Sequence, residues 1–180
     1  MLEIREERPD DIAAVREVNR RAFEQEQESN IIDGLRMNRA ALFSLVATAS
    51  ERVTGHIISS PVTIAGNVKG AALGPMAVLP EHQRQGIGIR LIEAGNRKIK
   101  DGGYPFIIVV GHAEYYPRFG FRSAREYGIK CEWDASDDVF MVLILDQAKM
   151  RDISGVARYR HEFSTIFVAS ARNHCLEGVE

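Results

Sequence analysis

Apolar and polar residues alternate over Leu2–Arg5, a period of two that predicts a short first strand. The period then lengthens. Pro9-Asp10-Asp11 is a helix start with acids at its positive end, and Ile12, Val15, Val18 and Phe23 supply the apolar stripe. After the polar stretch Glu24–Ser29, the residues Ile31, Ile32 and Leu35 predict a second helix ending near Met37. Leu42–Ala49 and Val53–Ile64 are rich in β-branched residues and flank Ser50-Glu51-Arg52, the signature of a hairpin. Gly66-Asn67 turns the chain into Lys69–Val78. An amphipathic helix follows over 86–100, then a turn at Asp101-Gly102-Gly103 and a strand over 106–110. A short helix over 114–119 and strands near 121–130 and 139–145 complete the pattern, and Val156–Arg160 is a candidate for one more.

Hairpins that lead into a strand–helix–strand crossover imply an α/β protein with a mixed sheet. The parallel pair is expected where strand 71–79 connects through the helix to strand 106–110. The main domain is expected over residues 1–147, with 148–180 as a C-terminal extension of the same domain. The tail after Thr165 has three readings: a helix, a partner contact or a loose end.

Composition narrows the function classes. The 180 residues suffice for one substantial core. Lys+Arg 23 against Asp+Glu 25 gives no basic surface for nucleic acid or an anionic membrane. No apolar run reaches the length of a membrane span, and residues 1–20 are too charged for a signal peptide. Cys131 and Cys175 define neither a metal cluster nor a disulfide framework, and His56, His82, His112, His161 and His174 are scattered. A cytoplasmic protein without a metal is expected.

The strongest chemical signal is Gln83-Arg84-Gln85-Gly86-Ile87-Gly88. It stands between the apolar run Ala71–Leu79 and the helix, so backbone amides and a helix N-terminus meet at one turn, an anion cradle. A dinucleotide turn lacks its third glycine here, and a P-loop lacks its lysine and hydroxyl. A Q/R-x-x-G-x-G/A loop is matched position by position, and a plain tight turn is the competing structural account.

Some thirty residues later comes Tyr115-Tyr116-Pro117-Arg118-Phe119-Gly120-Phe121, after the apolar run Phe106–Val110. Together the two motifs resemble the acetyl-CoA site of the GNAT N-acetyltransferase superfamily. Gly111–Tyr116, Cys131-Glu132-Trp133-Asp134 and Ser154-Gly155-Val156 extend the resemblance to its YhbS-like branch, over most of residues 2–165. The resemblance implies the GNAT fold, a central, mostly antiparallel sheet whose two parallel strands splay apart to admit a pantetheine arm. It implies acetyl-CoA as co-substrate, its diphosphate held at Gln83, Arg84, Gln85, Gly86, Ile87, Gly88 and Ile89. The backbones of Met76 and Val78 would hold the pantetheine, and the amide of Ala77 or Met76 the oxyanion. Pro75 within the strand fits a bulge at the point of splay.

Tyr116 occupies the motif's tyrosine and is implied as the general acid for the leaving thiolate, against an aromatic core patch as the structural account. The strand Lys69–Gly74 carries no carboxylate to act as base. Glu28, in the segment implied as the acceptor wall, His112, just past strand 106–110, and a water chain remain as candidates. A solvated loop is the bland account of Glu24, Glu26 and Glu28. The acceptor is expected to be an amine on a small molecule or a protein, by direct attack. The alternatives are a non-catalytic acyl-CoA-binding module on the same fold and acylation from a longer acyl donor. A homodimer contact, if present, is expected first in 148–180.

Overall fold

The computed structural model describes residues 2–164 and 177–178. The elements run β1 Leu2–Glu6, α1 Ile12–Phe23, α2 Gln27–Met37, β2 Phe43–Ala49, β3 Arg52–Ile64 and β4 Val68–Val78. They continue with α3 Ile87–Asp101, β5 Phe106–Val110, β6 Arg122–Ser123, β7 Ile129–Cys131, β8 Phe140–Ile144, α4 Gln147–Met150, β9 Gly155–Arg158 and β10 Glu177–Gly178. One mixed sheet holds the strands in the order β1-β2-β3-β4-β5-β8-β6, with β9 pairing β3 and β7 beside β9. Only two residues of the tail beyond Thr165 are described, as β10, so its expected character over 165–176 and 179–180 lies outside the described residues.

The period-two pattern decides which face each residue serves. Leu45, Ala47, Ile57, Ala71, Leu73, Ile107 and Val109 join α3 residues Ile87, Leu91, Ile92 and Ile99 in one buried cluster. Their neighbours Val46 and Ile58 turn the other way, onto Val15 of α1 and Ile31, Ile32 and Leu35 of α2. Near the β9 side, Val62, Ile64, Ala72, Phe106, Ile108 and Ala157 form a third cluster. The helices therefore cover both faces of the sheet. Gly55 on β3 lets α3 approach: a Cβ there would lie 3.0 Å from Ile87 and 3.1 Å from Leu91.

Several expectations needed correction. Pro9–Asp11 forms a 3-10 turn before α1. Ile12 is 42% exposed and stands outside the stripe, which is Val15, Val18 and the polar Asn19. The second helix begins at Gln27, inside the stretch read as a polar connection. Residues 121–130 are two short strands separated by a 3-10 turn over Ala124–Tyr127, because Gly128 breaks the run in a left-handed conformation. The short helix expected over 114–119 is a 3-10 turn, Tyr116–Phe119.

Candidate active site

The Gln83–Gly88 loop leads directly into α3, exposed at Arg84 and Gln85 and buried at Ile87 and Gly88. Gly86 is the N-cap at φ +80, and having no side chain it leaves the helix amides without an N-cap hydrogen bond. Arg84 also takes a positive φ, +58. The first intrahelical bond runs from Arg90 N–H to the Gly86 carbonyl, 3.2 Å. The preceding first-turn amides, Ile87 to Ile89, therefore point outward at the positive end of a 15-residue helix. The Gln83 side chain donates to the Val78 carbonyl (3.2 Å) and ties the loop to β4. The Gln85 side chain turns back to the Glu81 carbonyl (3.1 Å).

A cleft of about 290 Å³ opens over this turn. Its lining joins Val78, Gln83, Arg84, Gly86, Ile87, Gly88 and Ile89 to His82, Tyr115 and Arg118. The Arg118 guanidinium lies 4.6 Å over the Tyr115 ring, a cation–π contact that holds it at the rim. Two arginines and the first-turn amides of α3 thus share one cleft.

Val78, which ends β4, brings that strand to the cleft after it has left β5. The two strands pair in parallel only at Ala71↔Ile107 and Ala72↔Ile108. Pairing with β3 steps from Ser59↔Leu73 to Ile57↔Met76, so Gly74 and Pro75 form the irregularity that Pro75 predicted. Beyond it, Met76, Ala77 and Val78 keep β3 on one side and have no β5 partner on the other. Met76 and Val78 share the α3-side cluster with Val109 and Tyr116.

Tyr116 is 2% exposed. Its ring meets Tyr115 and Phe121 edge-on, each at 5.4 Å between centroids. The aromatic patch is therefore real, with Tyr116 and Phe121 buried in it while Tyr115 lines the cleft. Glu28 also departs from expectation. It lies in the first turn of α2 at 1% exposed, its carboxylate accepting from Gln25 Nε2 (2.9 Å) while the buried Oε2 has no hydrogen-bond partner among the described residues. Burial raises its carboxyl above the ordinary range. Glu24 and Glu26 are exposed, as a solvated connection requires. His112 is exposed, and its carbonyl accepts the Tyr115 and Tyr116 amides (3.0 and 3.5 Å), which shapes the turn into the tyrosines.

Residues 3–124 match the family model described as an acetyltransferase (GNAT) domain. The chain belongs to the GNAT family. This GNAT chain is an acyltransferase, and it shares 29% identity over 163 residues with the uncharacterized N-acetyltransferase YhbS of Escherichia coli, covering 89% of this chain and 98% of that one. A crystal structure of YhbS from Escherichia coli in complex with CoA superposes with TM-score 0.87 at 28% identity, over 91% of this chain and 92% of that one. A GNAT family acetyltransferase from Brucella melitensis, solved in complex with acetyl-CoA, gives TM-score 0.76 at 34% identity, over 91% of this chain and 98% of that one.

The GNAT acyltransferase also carries a polar network that no local motif announced. The His56 ring on β3 meets Ser44 Oγ (2.8 Å) at Nε2 and Asn19 Nδ2 (3.3 Å) at Nδ1. The Glu7 carboxylate accepts from Ser44 and Arg36 at the base of this chain. Burial pushes the His56 imidazole below its ordinary value, outweighing the opposing pull of Glu7. These residues are far apart in sequence, and only pairing of β2 with β3 under α1 and α2 joins them. Arg118 and Tyr115 were missed as cleft residues for a different reason. The motif placed them beside the cofactor without showing which side chains turn outward.

Proposed function

We propose that this chain transfers an acetyl group from acetyl-CoA to a primary amine by direct attack. The carrying observation is a cleft shared by the α3 N-terminus and Val78, the end of the β4 edge that has parted from β5. A diphosphate is an anion with acceptors matched to the amides of Ile87, Gly88 and Ile89, and the charges of Arg84 and Arg118 favour it. An amide-bearing pantetheine arm needs a strand edge, and the backbone of Met76, Ala77 and Val78 offers one. An amide from the same stretch would stabilise the oxyanion.

Two proton transfers remain. The leaving thiolate has a conjugate pKa of about 8.5, within reach of a phenol of pKa about 10, so Tyr116 serves as general acid. Its membership of the cluster that contains Met76 and Val78 supports this role. The attacking ammonium, of pKa about 10.4, costs roughly 4–5 kcal/mol to deprotonate at pH 7. Glu28 is the base we favour over His112, since a buried carboxylate with a raised pKa, one of whose oxygens has no partner among the described residues, accepts a proton readily.

The test is thiol release from acetyl-CoA across a panel of small amines, amino acids, amino sugars and peptide N-termini. Turnover on at least one acceptor is expected. The Tyr116→Phe variant should lose roughly ten- to a thousandfold in kcat while CoA affinity stays nearly constant. Unchanged kcat removes Tyr116 from the mechanism. CoA binding without turnover on any acceptor defeats the catalytic proposal in favour of an acyl-CoA-binding role.

A further inference from the structure

The β4 edge that parts from β5 is occupied. Strand β10 pairs with it in parallel, Glu177 opposite Met76 and Gly178 opposite Ala77. The opposite edge of these residues already belongs to β3, through Ile57↔Met76 and His56↔Ala77. A strand has two hydrogen-bonding edges, so β10 must stand on the β5 side, in the gap that opens after Ala72↔Ile108. It also packs against α1.

We propose that the two-residue strand Glu177-Gly178 is an intramolecular competitor for the acyl-CoA pantetheine arm. This rests on the reading above, that the arm pairs with β4 at Met76–Val78. An extended peptide and a pantetheine chain present the same chemistry to a strand edge, alternating amide donors and acceptors on a narrow apolar stem. They cannot share one edge. An empty slot would leave unpaired backbone beside buried apolar side chains, a template for pairing with another chain. Strand β10 closes that edge when no acyl-CoA is bound. A two-residue ladder is short enough for the larger ligand, with its diphosphate anchored at α3, to displace.

The apparent affinity for CoA is then reduced by the fraction of molecules whose slot is open. Titration calorimetry with CoA tests this on the full chain, on a chain ending at residue 176, and on the full chain carrying Glu177→Pro and Gly178→Pro together. Successive residues of a strand aim their N–H groups to opposite sides, so the double substitution removes the donor facing β4 whichever residue supplies it. Both altered chains are expected to bind CoA about threefold or more tightly than the full chain. In the unaltered full chain, the Gly178 amide should exchange with solvent faster once CoA is added. Equal affinity in all three chains overturns the competition and leaves the acyl-CoA site intact. Weaker binding in both altered chains also overturns it, since the tail would then be part of the ligand site. No CoA binding by any chain overturns the acyl-CoA reading itself.

Discussion

At the residue scale, Glu28 shows how far burial can change the meaning of a side chain. In the sequence it is one of three glutamates in a polar run, and Glu24 and Glu26 are indeed exposed. Helix α2 starts early enough to carry Glu28 under the protein surface, with Ile31 and Ile32 on the same buried side. Burial favours the protonated carboxyl, so Glu28 gains its ionised form at a higher pH than an exposed glutamate. As a base it must be ionised, and the acidic limb of the kcat/KM profile should therefore lie above the ordinary glutamate range. Glu28→Gln should lower kcat by roughly a hundredfold and abolish that limb, with CoA affinity unchanged. A variant that keeps both the rate and the limb assigns the base elsewhere. Tyr116 illustrates the complementary lesson. Its position in the motif was legible, whereas its burial behind Tyr115 follows from the edge-on packing of four aromatic rings.

At the element scale, the junction of β3, β4 and α3 governs the site. The N-terminus of α3 reaches the cleft because Gly55 leaves space for Ile87 and Leu91, and the Ala77 carbonyl would lie 3.2 Å from any Cβ there. Gly55→Val would push the helix start away from β4. It should cost about 1–3 kcal/mol in stability, read as a lower urea midpoint. CoA affinity should fall with it, because the displaced amides no longer face the cleft. A variant that loses stability but keeps CoA affinity would show that the loop adjusts independently of the helix. The glycine loop and the Pro75 bulge were readable in advance, since both depend on neighbouring residues alone. The break at Gly128 and the early start of α2 were not, because tertiary packing overrode weak local preferences.

At the scale of the whole molecule, buried charge links stability to pH. The folded His56 resists protonation, whereas an unfolded imidazole accepts a proton near pH about 6.5. Glu7 and Arg36 face it from β1–α1 and α2, Asn19 from α1 and Ser44 from β2. The unfolded chain binds more protons below that pH, so stability falls as pH drops. Two carboxylates extend the loss. Hydrogen bonding from Arg5 holds Asp11 to about 2, and bonds from Arg160 and Asn38 overcome burial to hold Glu162 to about 2. Both contributions are complete above the ordinary carboxylate range and vanish as pH falls toward 2. The melting temperature should therefore fall in two stages on acidification, and His56→Gln should remove the upper stage alone. A single stage in the unaltered chain would exclude His56 from the acid response.

Most of the succession of strands and helices through residue 110, the glycine turn at 83–88 and the family to which these motifs belong were legible in the chain before any contact was known. Each rests on short-range rules: side-chain period, glycine conformation, and the amides that every helix start leaves unpaired. Packing alone set the burial of Glu28 and Tyr116, the place of Tyr115 in the cleft lining, and the contact of Asn19 and Ser44 with His56. It also brought Glu177 and Gly178 to the open edge of β4, about a hundred residues away in the chain. Such contacts depend on which elements pack together, and no local pattern encodes a partner that distant.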